Sequence, residues 1–257
     1  MLGKLLKYDL KKTMKFLVIF YSIALFLSIL TRFFINEQSP FIVFIIGRIL
    51  SGAVISMFAN ILINCLMGNW IRSFARGVYS DESYLTHTLP VTKKQIYLSK
   101  FFCAVISSVI SVIVILICAI IAYYTDARWQ IVKHLLFMEE YTTTITLFCI
   151  LTIILEFISL IQCGFTGIIL GHRLNSGKAG LSVLFGVIAE TVSQLLILSV
   201  MGAAALFSDG FKTLFTSTPD SLFFKNVFYL IVPIYFLIIV AMATFNIRML
   251  KKGVDIE

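Results

Sequence analysis

Charge is what this sequence has least of. Only 13% of its 257 residues are Asp, Glu, Lys or Arg, about half the share of a soluble domain. Histidine is scarcer still. His87, His134 and His172 are the only three, and no two stand at ligand spacing, so a metal site is not expected. The five cysteines, Cys65, Cys103, Cys118, Cys149 and Cys163, include no CxxC pair. They read as buried small hydrophobes rather than disulfides or zinc ligands. No HExxH or GxSxG occurs, and no aspartate lies within an apolar run, so intramembrane hydrolysis lacks its residues. The chain itself is expected to be non-catalytic. Long polar stretches are missing too. The longest, Ile71–Lys100, is too short to fold as an enzyme, so a single membrane domain, 1–257, is expected without a soluble one.

What is present is apolar. Hydrophobic residues make up 60% of the chain, and mean hydropathy is +0.99. They come in runs of about 20 residues or more, each enough to cross roughly 30 Å of hydrocarbon as a helix. The runs place spans at Phe16–Ile35, Phe41–Trp70, Phe101–Tyr124, Thr144–Gly171, Leu181–Phe207 and Val227–Ile247. The second exceeds one crossing, and reads as tilted or as starting outside the hydrocarbon. Short alternating segments of about 10 residues, the mark of a membrane β-barrel, do not occur. The first run lacks a small-residue cleavage site and precedes five more, so it reads as a span rather than a signal peptide. The expected fold is all-α, a polytopic membrane protein with six transmembrane helices.

Fifteen of the 21 Lys and Arg cluster on one side of that layout. They lie in residues 1–15, in the loop after span two, in the loop after span four and in the tail. The positive-inside rule then puts both termini in the cytoplasm of a multi-pass cell-membrane protein. The net charge of +8 fits anchoring on an anionic leaflet and calls for no nucleic acid. Met1–Lys15 is too charged to span. On a helix its leucines, with Asp9 and Thr13, face away from Lys4, Lys7, Lys11 and Lys15, which reads as an N-terminal interfacial helix.

The loop after span two, RSFARGVYSDESYLTHTLPVTKKQIYLSK, is the most informative stretch. Ser80 or Asp81 caps a short helix over Asp81–Thr88, which Pro90 ends. Thr92 with Gln95 forms a capping box that starts the next helix, continuing into span three. The loop therefore reads as a compact helix held between two spans. An ordinary interfacial connector and a docking element for a cytoplasmic partner both fit that description.

Together with the six-span layout, Tyr84–Val91 followed by Lys93 and Lys100 resembles the type-two ABC exporter permeases. The likeness is greatest to the small Gram-positive permeases that handle antimicrobial or toxic peptides. What the resemblance implies is a transmembrane subunit of an ATP-driven exporter, acting beside a second permease. Its coupling helix, Asp81–Thr88, would dock into a cytoplasmic ABC ATPase through Asp81, Glu82, Ser83, Tyr84, Leu85, Thr86 and His87. The loop His172–Gly180 would be a second contact, and Ala203–Lys225 a re-entrant hairpin between spans five and six. ATP and magnesium would sit on the partner subunit, with no cofactor in this chain. Gly171–Ala179 only imitates a phosphate loop. Five residues rather than four separate Gly171 from Gly177, and Ala179 stands where Ser or Thr would hold magnesium.

Polar groups inside the spans are the remaining candidates. Glu156 and Glu190 each cost at least about 2.5–3.5 kcal/mol to insert. Asn60 and Asn64 share a helical face. The bland reading for the amides, Gln162 and Gln194 included, is hydrogen bonding between helices, worth roughly 0.6 kcal/mol per bond. The sharper reading places Asn60, Asn64, Glu156 and Glu190 along a translocation path, with pairing to Arg48 as another fate for the glutamates. A secondary, proton-coupled transporter using Glu156 and Glu190 is the alternative function. Gly167 and Gly171 stand four apart, a spacing that lets helices approach closely. Residues from Arg128 to Glu140 read as an outer interfacial helix.

Overall fold

The computed structural model describes residues 2–34, 41–79, 90–124, 140–174, 177–207 and 221–252. Helices account for nearly all of these, and no strand occurs among them. Helix α1 spans Leu2–Phe34 and α2 spans Phe41–Met67. The latter continues as a π-helical stretch, Gly68–Ala75, and ends in the short α3, Arg76–Tyr79. Then follow α4 (Lys93–Tyr123), α5 (Glu140–Gly171), α6 (Lys178–Phe207) and α7 (Ser221–Lys251). Six of these elements are long and apolar enough to cross a membrane. Large apolar side chains such as Val18, Phe26, Ile49, Leu116, Leu198 and Leu237 point outward, as lipid contact requires. The protein is an all-α polytopic membrane protein. Its helices divide into two compact units, Met1–Arg128 and Trp129–Asp255.

In the first unit α1 and α2 pack on α4 around Leu17, Tyr21, Ala24, Ile61, Cys65 and Cys118. The segment expected as an interfacial helix is helical, but it is no separate element: α1 runs unbroken from Leu2 into the span. No proline, and after Gly3 no glycine, interrupts it, and its inner face finds buried partners on α4. The helix of span two runs on past Trp70, through the π-helical stretch and α3 to Tyr79.

Span three opens as the sequence predicts. The Thr92 hydroxyl accepts from the Gln95 amide at 3.3 Å, and the Gln95 side chain accepts from the Thr92 amide at 3.0 Å. Thr92→Ala is expected to cost about 1 kcal/mol, read as a lower thermal midpoint that Thr92→Ser restores.

The second unit rests on a close crossing of α5 and α6. Gly167 and Gly171 lie so near Ser182 and Gly186 that neither has room for a methyl group, so the glycine spacing in span four does bring two helices together. The expected bonding between helices is present for Gln162. Asn246 on α7 donates to it at 3.3 Å and accepts from Thr166 at 2.9 Å. The turn after α5 closes through His172, Arg173 and Leu174 amides on carbonyls of Ile168, Leu170 and Gly171. Gly177, at φ 66°, then leads into α6, a conformation that costs other residues energy.

Candidate functional site

Of the sequence-predicted docking residues, Asp81, Glu82, Ser83, Tyr84, Leu85, Thr86 and His87 lie outside the described residues. So do most of the outer segment from Arg128 to Glu140 and positions 208–220 of the expected re-entrant hairpin. The rest of that hairpin belongs to α6 and α7. What the structure does describe is the ground on which the loop after span two stands.

That ground is charged and dry. Lys100, two turns into α4, is 3% exposed, and Asp9 on α1 is 2% exposed. The Lys100 ammonium donates to one Asp9 oxygen at 2.5 Å, and the Ser99 hydroxyl donates to the other at 2.9 Å. Gly77, just before the loop, lies flat against the Lys100 amine, where a Cβ would come within 2.7 Å of the nitrogen. One turn deeper Thr13 meets Cys103 at 3.7 Å. Beyond it, Asn69 donates to the Cys65 carbonyl and to Ser107 at 2.8 and 2.9 Å, and Tyr21 and Ser111 share a hydrogen bond of 2.7 Å. The described residues on both sides of the loop after span two are thus rooted in one polar seam between α1, the π-helical stretch and α4. Within the π-helical stretch, where the usual i to i−4 ladder is rephased, Asn69 and Ser73 are turned inward and buried.

The membrane-embedded candidates fall into two groups. In the second unit, Glu156 on α5 and Glu190 on α6 converge on Tyr235 of α7. The tyrosine is within electrostatic reach of both carboxylates. Gln194 donates to Glu190 at 2.8 Å. Glu156 is exposed and Glu190 half-buried. Two carboxylates beside a phenol and an amide can hold a proton or a cationic group.

Asn60 and Asn64 behave otherwise. Each donates to a carbonyl four residues back on its own helix, of Ser56 and Asn60, at 2.9 and 2.8 Å. The expected bonds from these amides to another helix are therefore replaced by local ones. The preceding-turn carbonyl is always within reach, so it wins where no neighbour competes. Asn60 stays exposed and Asn64 half-buried. Arg48 is exposed, its guanidinium 5.1 Å over the Phe44 ring. Four of the cysteines are buried as expected, whereas Cys149 is exposed, because α5 turns that face outward.

Two functional candidates escaped the sequence reading. Asp9 had a signal, being the only acid of residues 1–15 and on the apolar side. Tyr235 had only its hydroxyl, unusual inside an apolar run. No family model, curated protein or solved structure matches this chain.

Proposed function

We propose that the chain is the membrane-spanning permease subunit of an ATP-driven ABC exporter for peptides or other amphipathic molecules. It would work beside a second permease, with both termini in the cytoplasm. The observation that carries this reading is the rooting of the loop after span two. A connector that merely joins two spans needs no buried ion pair at its base. A loop that must receive force from an ATPase and pass it to helices needs a stiff mount, and Asp9, Ser99, Lys100 and Gly77 supply one. The resemblance of Tyr84–Val91 to coupling segments supports the same assignment. ATP binding and hydrolysis would belong to the partner, and this chain would convert loop displacement into helix movement.

The test is association. The tagged chain purified from its own membranes is expected to carry ATPase activity, and Tyr84→Ala with Leu85→Asp is expected to abolish it. Unchanged ATPase co-purification with that variant would sink the docking role.

The convergence of Glu156 and Glu190 on Tyr235 favours one second reading, a proton-coupled transporter. It predicts uptake that follows an imposed proton gradient in liposomes lacking any ATPase, lost in Glu156→Gln and Glu190→Gln.

A further inference from the structure

The face of α1 opposite the buried seam changes character along its length. One side of the helix is buried at Asp9, Thr13, Leu17, Tyr21, Ala24, Ser28 and Thr31, which fixes its rotation. The other side is exposed at Lys4, Lys7, Tyr8, Lys11 and Lys15 and then at Val18, Ile19 and Ile23. At 100° per residue these positions form one stripe, cationic first and aliphatic after. Because the helix is unbroken, whatever meets the aliphatic half lies directly above whatever meets the cationic half. Acyl chains meet the aliphatic half, and beneath acyl chains lie headgroups.

The counter-charge for this row is not on the helix. The only acid of residues 1–15 is Asp9, which lies on the opposite side, committed to Lys100 and Ser99. At the level where the row ends, the Arg72 guanidinium sits 4.1 Å over the Phe16 ring, adding a further cation at the rim of the apolar stretch.

We infer that this row is a binding surface for anionic phospholipid headgroups, graded along the helix rather than uniform. The 33 residues of α1 measure about 50 Å, against about 30 Å of hydrocarbon. The surplus equals residues 2–15, which continue past the apolar layer instead of lying along it. Lys15 then sits at the rim, Lys11 about 6 Å beyond it, and Lys7 and Lys4 about 12 and 16 Å beyond. A headgroup layer is roughly 5–8 Å deep, and the surface potential decays over a Debye length of about 8 Å. Lys11 and Lys15 reach the phosphates, Tyr8 lies just past them, and Lys4 and Lys7 feel an attenuated field. This goes beyond general basic anchoring, since a helix lying in the interface plane would use all four lysines alike. It is also independent of the transport reading.

The experiment uses the full chain reconstituted into nanodiscs containing both phosphatidylglycerol and phosphatidylcholine, with lipid retention read by native mass spectrometry. The wild type is expected to prefer phosphatidylglycerol. Lys11→Gln with Lys15→Gln should weaken that preference about 25-fold, from about fivefold per lysine at the surface. Lys4→Gln with Lys7→Gln, about 4–11 Å past the phosphates, should weaken it only about three- to fivefold. High salt should erase the wild-type preference. All four positions are exposed, and an unchanged thermal midpoint confirms that each variant folds. Equal losses for the two pairs would overturn the graded surface in favour of an in-plane helix. Absence of a wild-type preference, or a preference that all four substitutions leave intact, would overturn lipid as the occupant and leave an acidic protein surface.

Discussion

Lys100→Ala is expected to destabilise the protein by about 3–5 kcal/mol, the range for a buried ion pair that loses one member. The loss would appear as a lower unfolding midpoint in detergent and a smaller monodisperse fraction. The physical reason is what remains. Asp9 is 2% exposed and its side chain is too short to reach water from the inner face of α1. Ser99 satisfies one oxygen, and the other is left with a negative charge and no donor. Asp9→Ala is expected to do similar damage, because Lys100 is 3% exposed and its ammonium would be left buried without its carboxylate. Gly77→Ala should itself be harmful, since its Cβ would come within 2.7 Å of the ammonium already bound to Asp9.

The double variant distinguishes pairing from general fragility of the site. Asp9→Leu with Lys100→Met removes both charges and keeps roughly the same volume. Buried pairs replaced in this way are often neutral or even stabilising, so most of the lost stability should return. A double variant as unstable as either single one would show that the charges do not act on each other. If the double variant folds but lacks the ATPase association that the proposed function predicts for the wild type, the pair supplies registry rather than net stability. That outcome fits a mount which must hold α1 and α4 in one relative position while the loop is loaded.

Features set by near neighbours were legible in the sequence. The Thr92–Gln95 capping box is a three-residue relation, and it forms as read. The apolar runs gave the spans, because twenty apolar residues have few other fates. Lys100, however, reads as one more cytoplasmic anchor, since its partner lies 91 positions away. Nothing local distinguishes a lysine that snorkels to water from one that turns inward to an aspartate. The facing of the amides was equally hidden. Asn60 and Asn64, four apart, share one side of α2, but the choice between a neighbouring helix and the helix's own carbonyl depends on who stands opposite. The exposure of Cys149 is hidden for a related reason: in an apolar helix the lipid side and the protein side have the same composition, so periodicity carries little information about burial. The convergence of Glu156, Glu190 and Tyr235 needed three helices to be assembled before it could be seen.

Gly167 is where the smallest change should have a disproportionate effect. A Cβ there would collide with the Ser182 carbonyl and stand 2.6 Å from the Gly186 nitrogen. Both are backbone atoms of α6, so no rotamer change relieves the clash, and the two helices must separate. Gly171 has the same problem one turn on, since a Cβ there would stand 2.5 Å from the Ser182 nitrogen. Overpacking of a rigid contact costs typically about 1–3 kcal/mol, and it would also pull Gln162 and Thr166 out of register with Asn246. Gly167→Ala is therefore expected to loosen the second unit measurably, and Gly167→Leu to prevent its assembly, in denaturant titrations or by proteolysis between α5 and α6. Gly186 supplies the control. It lies in the same crossing, yet a Cβ there meets nothing nearer than the Cys163 carbonyl at 3.7 Å, ordinary contact. Gly186→Ala should be tolerated. Should Gly186→Ala and Gly167→Ala prove equally harmful, the asymmetry of the crossing would be refuted; if only the latter is, the small residues of α5 are what set how closely the helices meet, and α6 merely lies against them.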